Sequence, residues 1–268
     1  MSHFTVAVIS KKYAGDDVQH LLAKYDEGKR DVFNDCTKEV LKVWETGKTE
    51  YGSEIIKEDY DNNIEKFADE WYGYKTVNEG EAKKYGYYYN PDAKWDWYTI
   101  GGRWNGLLKL KESVVNEDET VNRKYWWNKD EKDNGLSDRA VNYAKVKDLD
   151  FSISEDEYKK NIRFWEVYVE DQEPQNEEEK EMIAHRFYKK EYYINRYKNK
   201  ETYAKLVSEF STFAVLTDKG WFEKGEMGGF GCSSETDEES FDWDTTYYNR
   251  FIKDLDPETY ITVVDCHI

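Results

Sequence analysis

The sequence has 268 residues, enough for one large domain or two modest ones, and carries 57 acidic against 39 basic side chains, a formal charge of −18. That charge argues against non-specific binding to nucleic acid or anionic membranes, because phosphate contacts need Lys and Arg. Aromatic residues make up 17% of the chain, with 23 Tyr and 10 Trp, which argues against disorder because each ring can bury a large apolar area.

In chain order, residues 4–9 alternate and are β-branched, which predicts a first strand. Val18, Leu21, Leu22 and Tyr25 follow at helical spacing, with Gly28 as a stop. Val40, Leu41 and Trp44 predict a second short helix, and Ile56, Tyr60, Ile64, Phe67 and Trp71 mark one face of a longer third. Residues 73–91 read as a Tyr- and Gly-rich connection without periodicity. Around Gly101-Gly102, the β-prone runs 97–100 and 103–110 form a hairpin pattern, because Gly accepts the positive φ of tight turns. Residues 111–205 read as mostly helical and polar. Within them, Ser154 and Glu157 form a capping-box pattern ahead of Tyr158, Ile162 and Trp165, and residues 170–181 are an acidic run. Ile183, Phe187 and Ile194 share a later helical face, and Tyr203, Leu206, Val207 and Phe210 mark another. A second hairpin is expected from 212–216 and 221–224 around Asp218-Lys219-Gly220. Thr236 and Glu239 form a second capping box, opening a helix with Phe241, Tyr248, Phe251 and Ile252. Asp256-Pro257 ends it before a last strand, 260–266.

These elements predict an α+β fold: a mixed, mainly antiparallel β core formed by N-terminal, central and C-terminal strands, with helical insertions. The first and last strands are expected in one sheet. The expected domains are an α+β core of 1–110 plus 206–268 and a mainly helical, aromatic-rich and acidic insertion of 111–205. Cys36, Cys232 and Cys266 are widely separated and odd in number, unlike a disulfide framework or a zinc ribbon. The opening residues lack a basic region and a long apolar run, so a reducing cytoplasm is the expected compartment, with no membrane partner.

Five features could carry chemistry. The run Gly225-Glu226-Met227-Gly228-Gly229-Phe230-Gly231 lies between a predicted strand and helix, where a phosphate cradle can form. Its spacing matches no nucleotide fingerprint, and close packing of a loop explains it better. Cys232, Cys266 and His267, with His3 or His185, could supply metal ligands, but adjacent strand residues such as Cys266 and His267 point to opposite faces. No metal or other cofactor is therefore expected, and buried Cys is the preferred reading. Acidic pairs such as Asp242 and Asp244, or Glu238 and Glu239, arise by chance in so acidic a chain. Trp95, Trp97 and Trp104 beside Gly101-Gly102 could form a stacking platform, but they are read as core around the hairpin. Tyr125, Trp126, Trp127, Tyr188, Tyr192 and Tyr193 give the insertion more rings than a small helical unit needs to bury, and interface anchors are enriched in Tyr and Trp. These six are the expected partner-binding residues; no catalytic residue is expected.

The start Ser2-His3-Phe4-Thr5-Val6-Ala7-Val8-Ile9, the centre Trp95-Asp96-Trp97-Tyr98-Thr99-Ile100-Gly101-Gly102-Arg103-Trp104, the stretch from Phe213 through Gly220-Trp221 to Gly228, and the end Val263-Val264-Asp265-Cys266-His267-Ile268 resemble a family of bacteriophage and prophage proteins. The resemblance covers well under half of the chain. The family includes or neighbours the phage inhibitors of the bacterial Gabija defence system. It therefore implies a non-enzymatic inhibitor, in the cytoplasm of an infected bacterial host, that forms homo-oligomers and binds a host defence protein complex. Such a protein would block the nuclease's access to DNA without binding nucleic acid itself. Two other functions fit the residues: acidic mimicry of DNA in a basic channel, or a small-ligand protein or enzyme using the loop from Gly225 to Cys232.

Overall fold

The computed structural model describes residues 2–11, 15–80, 82–115, 137–184, 186 and 188–268. Tyr125, Trp126, Trp127, His185 and Phe187 lie outside the described residues. In chain order the regular elements are β1 (His3–Ser10), α1 (Gly15–Leu22), β2 (Val32–Asp35), α2 (Thr37–Thr46), α3 (Ile64–Tyr72), β3 (Lys75–Glu79), β4 (Ala82–Tyr89), β5 (Trp97–Ile100), β6 (Leu108–Lys109), β7 (Ala140–Val141) and β8 (Tyr143–Lys145). They continue with α4 (Glu155–Tyr168), α5 (Glu177–Ala184), α6 (Lys190–Tyr197), α7 (Lys200–Ser208), β9 (Ala214–Thr217), β10 (Gly220–Glu223), α8 (Asp237–Phe251) and β11 (Tyr260–His267). The fold is α+β, as expected.

Two compact units form, one of residues 1–22 with 95–268 and the other of 23–94. This division differs from a core with an insertion at 111–205. The segment that closes on itself is 23–94, because it has its own sheet, in the order β2-β4-β3, and its own core of Val40, Val43, Ile55, Phe67, Ala68 and Tyr85. The expected long helix from Ile56 to Trp71 is broken there. Asp61 and Asn62 both take positive φ, which Asp and Asn tolerate better than most residues, and the Asn63 side chain then caps α3 by accepting from the Glu65 and Lys66 amides. The aperiodic connection at 73–91 is in fact the β3–β4 hairpin. Its alternation is hidden because Tyr87, Tyr88 and Tyr89 put the same side chain on both faces.

The larger unit is organised by its two terminal strands. β1 and β11 pair antiparallel along their full length, from His3↔His267 to Ser10↔Tyr260. The sheet runs β10-β9-β1-β11-β5, with β1 and β9 parallel and the others antiparallel. β8 shares the β5 edge of β11, pairing with Tyr260, Ile261 and Thr262 while β5 pairs with residues 264–267. Strands flanked on both edges and covered on both faces need apolar residues at nearly every position, and β1 and β11 are buried almost throughout. On one face Ala7, Ile9, Val215, Ile261 and Val263 pack with Trp243, Tyr247, Phe251 and Ile252 around α8. On the other, α1, whose Val18 and Leu22 are fully buried, packs against β1 and β9.

The β9–β10 hairpin and the Thr236–Glu239 capping box form as the sequence indicates. Ser154 does precede α4, but its side chain makes no cap hydrogen bond. The expected hairpin around Gly101-Gly102 is absent. β5 pairs with β11, β6 pairs with β7, and a single 3-10 turn joins them. After β8, Lys145 and Lys147 both donate to Glu258, at 2.8 and 2.5 Å, and hold its carboxyl pKa down to about 2. A carboxylate whose folded pKa lies below its unfolded value contributes stability above the unfolded pKa and loses it as pH falls through the folded one. Carbon-detected NMR titration is expected to give Glu258 a midpoint near 2, moved back toward 4.5 in Lys145→Met/Lys147→Met.

Candidate functional site

Along the α8-facing side of the sheet, the apolar residues stop abruptly toward one end. On β1, Ile9 and Ala7 give way to Thr5 and His3; on β11, Ile261 and Val263 give way to Asp265 and His267. On β5, Thr99 pairs with Asp265 and Trp97 with His267. Because side chains alternate across a strand, these six residues share one face. The result is a polar patch on β1, β11 and β5, beyond the residues of β1 and β11 that pack with the α8 cluster.

His3 and His267 sit opposite each other in the β1–β11 register, and their ring centroids are 5.0 Å apart at 75°. Each has its own carboxylate. His3 Nδ1 lies 2.8 Å from Asp265 Oδ1, and His267 Nδ1 lies 2.6 Å from Asp96 Oδ1. An ionised carboxylate only accepts, so each Nδ1 is the donor and each Nε2 is left as the working nitrogen. The Asp265 carboxylate is itself held, its Oδ2 accepting the Arg103 backbone N–H at 3.0 Å, whereas Asp96 is placed through its backbone, whose N–H donates to the His267 carbonyl at 2.9 Å. Thr5 is tied down by accepting the Phe213 N–H at 3.0 Å.

Trp97 lies flat against His267, with centroids 5.2 Å apart and planes 16° from parallel, and presents an edge geometry of 80° to His3. It remains 43% exposed. The His267 Nε2 is buried and has no hydrogen-bond partner among the described residues. Such an orphan is costly and normally meets a water or a ligand atom. Arg103 is exposed, and it is its backbone amide that holds the Asp265 clasp. Ser2 ties the far side to the Gly-rich loop: its Oγ donates to the Gly228 carbonyl at 2.8 Å and accepts the Gly231 N–H at 2.7 Å.

The loop after β10 thus buttresses β1 through backbone contacts, as close packing predicts. Cys266 faces away from His267 and is buried, and burial pushes its thiol pKa up, the opposite of what a nucleophile needs. Cys232 is exposed. Among the described residues no three His, Cys, Asp or Glu side chains are grouped to hold a metal ion, and no helix is long and apolar enough to cross a membrane.

The expected partner-binding residues separate. Tyr188 is 46% exposed and stacks on the half-buried Tyr192, with centroids 3.9 Å apart. Tyr193 belongs to the core cluster of Phe164, Trp165, Tyr197, Tyr203 and Leu206, so its ring is not on the surface. Trp95 is core, as read, and donates its indole N–H to the Leu22 carbonyl at 3.1 Å, whereas Trp97 is not. Sequence reasoning missed Asp96 and Asp265 and took the two histidines only as metal ligands. The available signal was the alternation His3-x-Thr5 and Asp265-x-His267 inside otherwise apolar central strands, which marks a polar stripe on one face.

Four segments distant in sequence meet here: the start of β1, the stretch from Asp96 to Arg103, the Gly228 loop and the end of β11. Comparison with family models, with curated proteins and with solved structures finds no match to this chain.

Proposed function

We propose that this protein is an acid–base enzyme whose reacting groups are the His3 and His267 imidazoles. One observation carries the reading: two imidazoles in register on adjacent central strands, each with Nδ1 on its own carboxylate. A carboxylate on Nδ1 selects the tautomer with a basic Nε2 and stabilises the imidazolium that forms when a proton is taken up. Two such groups side by side can remove one proton and deliver another in a single step. Rigid strands, rather than loops, hold both.

The test uses activated p-nitrophenyl probes: the acetate, the phosphate monoester and the bis(p-nitrophenyl) phosphate diester. At least one is expected to turn over, and His3→Gln and His267→Gln are each expected to lower the rate by about 10²–10⁴-fold. Turnover of none, or equal turnover in both variants, overturns the proposal.

A second reading, a phage-encoded inhibitor that binds a bacterial defence complex, draws on different residues. The exposed Tyr188–Tyr192 stack supports it, as do the half-exposed Trp71, Tyr87, Tyr88 and Tyr89 of the smaller unit, since Tyr and Trp are favoured anchors of protein interfaces. Under that reading Tyr188→Ala, rather than His3→Gln, is the change that removes activity.

A further inference from the structure

We infer that the substrate is a small phosphodiester bearing a nucleobase, such as a cyclic nucleotide, which the two imidazoles open with water. The inference rests on the acid–base reading above and adds the chemistry that these particular neighbours allow.

Among the described residues of the polar face, the hydroxyls of Ser2 and Thr5 are tied down, and no hydrogen bond joins the exposed Thr99 hydroxyl to either imidazole. The Ser2 hydroxyl is committed to the Gly228 and Gly231 backbone, Thr5 is held by the Phe213 amide, and the Cys266 thiol is on the opposite face. The carboxylates cannot serve as a glycosidase pair either, because both are occupied at the Nδ1 nitrogens. What remains is direct attack by water with paired proton transfer, and displacement at phosphorus asks for that. One Nε2 takes a proton from water as its oxygen bonds to phosphorus. The other, protonated, gives a proton to the departing ester oxygen as the P–O bond breaks. Phosphodiester and water become phosphomonoester and alcohol, and the imidazoles exchange protonation states, which solvent restores.

The neighbours fit the rest of such a molecule. The orphan His267 Nε2, in its protonated form, has a hydrogen to donate to a phosphoryl or departing ester oxygen. Trp97 has one face on His267 yet is 43% exposed, and that exposed ring surface is where a base would stack. Arg103, whose backbone amide holds Asp265, is exposed and is the nearest cation in the sequence to that clasp. A small ligand is favoured over a nucleic acid because a chain of net charge −18 repels a long polyanion, while one phosphate needs only one local cation.

The experiment compares hydrolysis of 2′,3′-cyclic AMP, bis(p-nitrophenyl) phosphate and p-nitrophenyl acetate by the intact protein. Cyclic AMP opening to a single phosphomonoester isomer is expected, and its loss in both His3→Gln and His267→Gln. Trp97→Ala is expected to raise KM for the cyclic nucleotide roughly 5- to 150-fold, the worth of one base stack, and to raise it by a smaller factor for bis(p-nitrophenyl) phosphate. Turnover of the acetate alone overturns the phosphodiester assignment and leaves the acid–base reading standing; turnover of no probe overturns both. Equal loss on both diesters in Trp97→Ala overturns base stacking, and a circular dichroism spectrum matching the parent excludes misfolding as its cause.

Discussion

Asp244→Ala is expected to lower the stability of the larger unit by about 3–5 kcal/mol, read as a fall in the urea unfolding midpoint. Asp244 on α8 joins two cations that have almost no solvent. Arg196 of α6 donates to Oδ2 at 3.0 Å, and Lys224, just after β10, donates to Oδ1 at 2.8 Å. All three side chains are nearly buried. Burial pushes the Lys224 pKa down, and the attraction of Asp244 recovers only part of that shift, so the ammonium is held charged against its desolvation. Arg196 is anchored further by donating to the Tyr192 hydroxyl at 2.8 Å, while its Nε has no partner among the described residues. Removing the carboxylate leaves two buried cations facing each other. Asp244→Asn, which keeps an acceptor but no charge, is expected to fall between the parent and the Ala variant. The combined change Arg196→Met, Lys224→Met, Asp244→Leu is expected to restore most of the loss, because a packed apolar trio avoids the desolvation cost altogether. A triple variant as unstable as Asp244→Ala would show that the cost lies in shape and not in charge.

The same trio explains why residues 111–205 do not stand apart. Nothing in the composition of α4 to α7 indicates that Arg196 will find its counter-ion on α8, or that Phe241 of α8 will pack against the α6–α7 ring cluster. Those contacts span long stretches of sequence and leave no local pattern. What was legible was local: the full-length apolar runs of β1 and β11, the turn between β9 and β10, and the Thr236 cap of α8. What was misread were segments whose partners lie far away. Gly101-Gly102 looks like a hairpin turn because both residues do take positive φ, yet the strand on either side is claimed by a different, distant partner. The site was legible only in fragments. His3, Trp97 and His267 each drew notice singly, but their meaning depends on a register that pairs the first strand with the last and the central one with the last again. Aspartates 96 and 265 were indistinguishable from the other acids until that register placed them on imidazoles.

Gly102→Ala tests that dependence, because it joins fold and site at one atom. Gly102 has φ +55°, and a Cβ there would lie 2.4 Å from both the Cβ and the Oδ2 of Asp265. The left-handed conformation costs an alanine about 1–2 kcal/mol, and the overlap adds about 1–3 kcal/mol unless Asp265 moves. Asp265 is buried between strands and cannot move without releasing the Arg103 amide from Oδ2 and His3 from Oδ1. Gly73→Ala is the control: its φ is +70° but nothing lies within 4 Å of a Cβ, so it carries the conformational cost alone. The difference between the two variants in unfolding free energy isolates the overlap. Nitrogen-15 NMR is expected to show the His3 ring nitrogens losing their fixed-tautomer signature in Gly102→Ala, while His267, clasped by Asp96, keeps its own. Turnover is then expected to fall in Gly102→Ala and, for the same reason, in Asp265→Asn. Unchanged His3 signals, with a stability loss no larger than that of Gly73→Ala, would mean that Gly102 merely fills a turn and that the Asp265 clasp is set elsewhere.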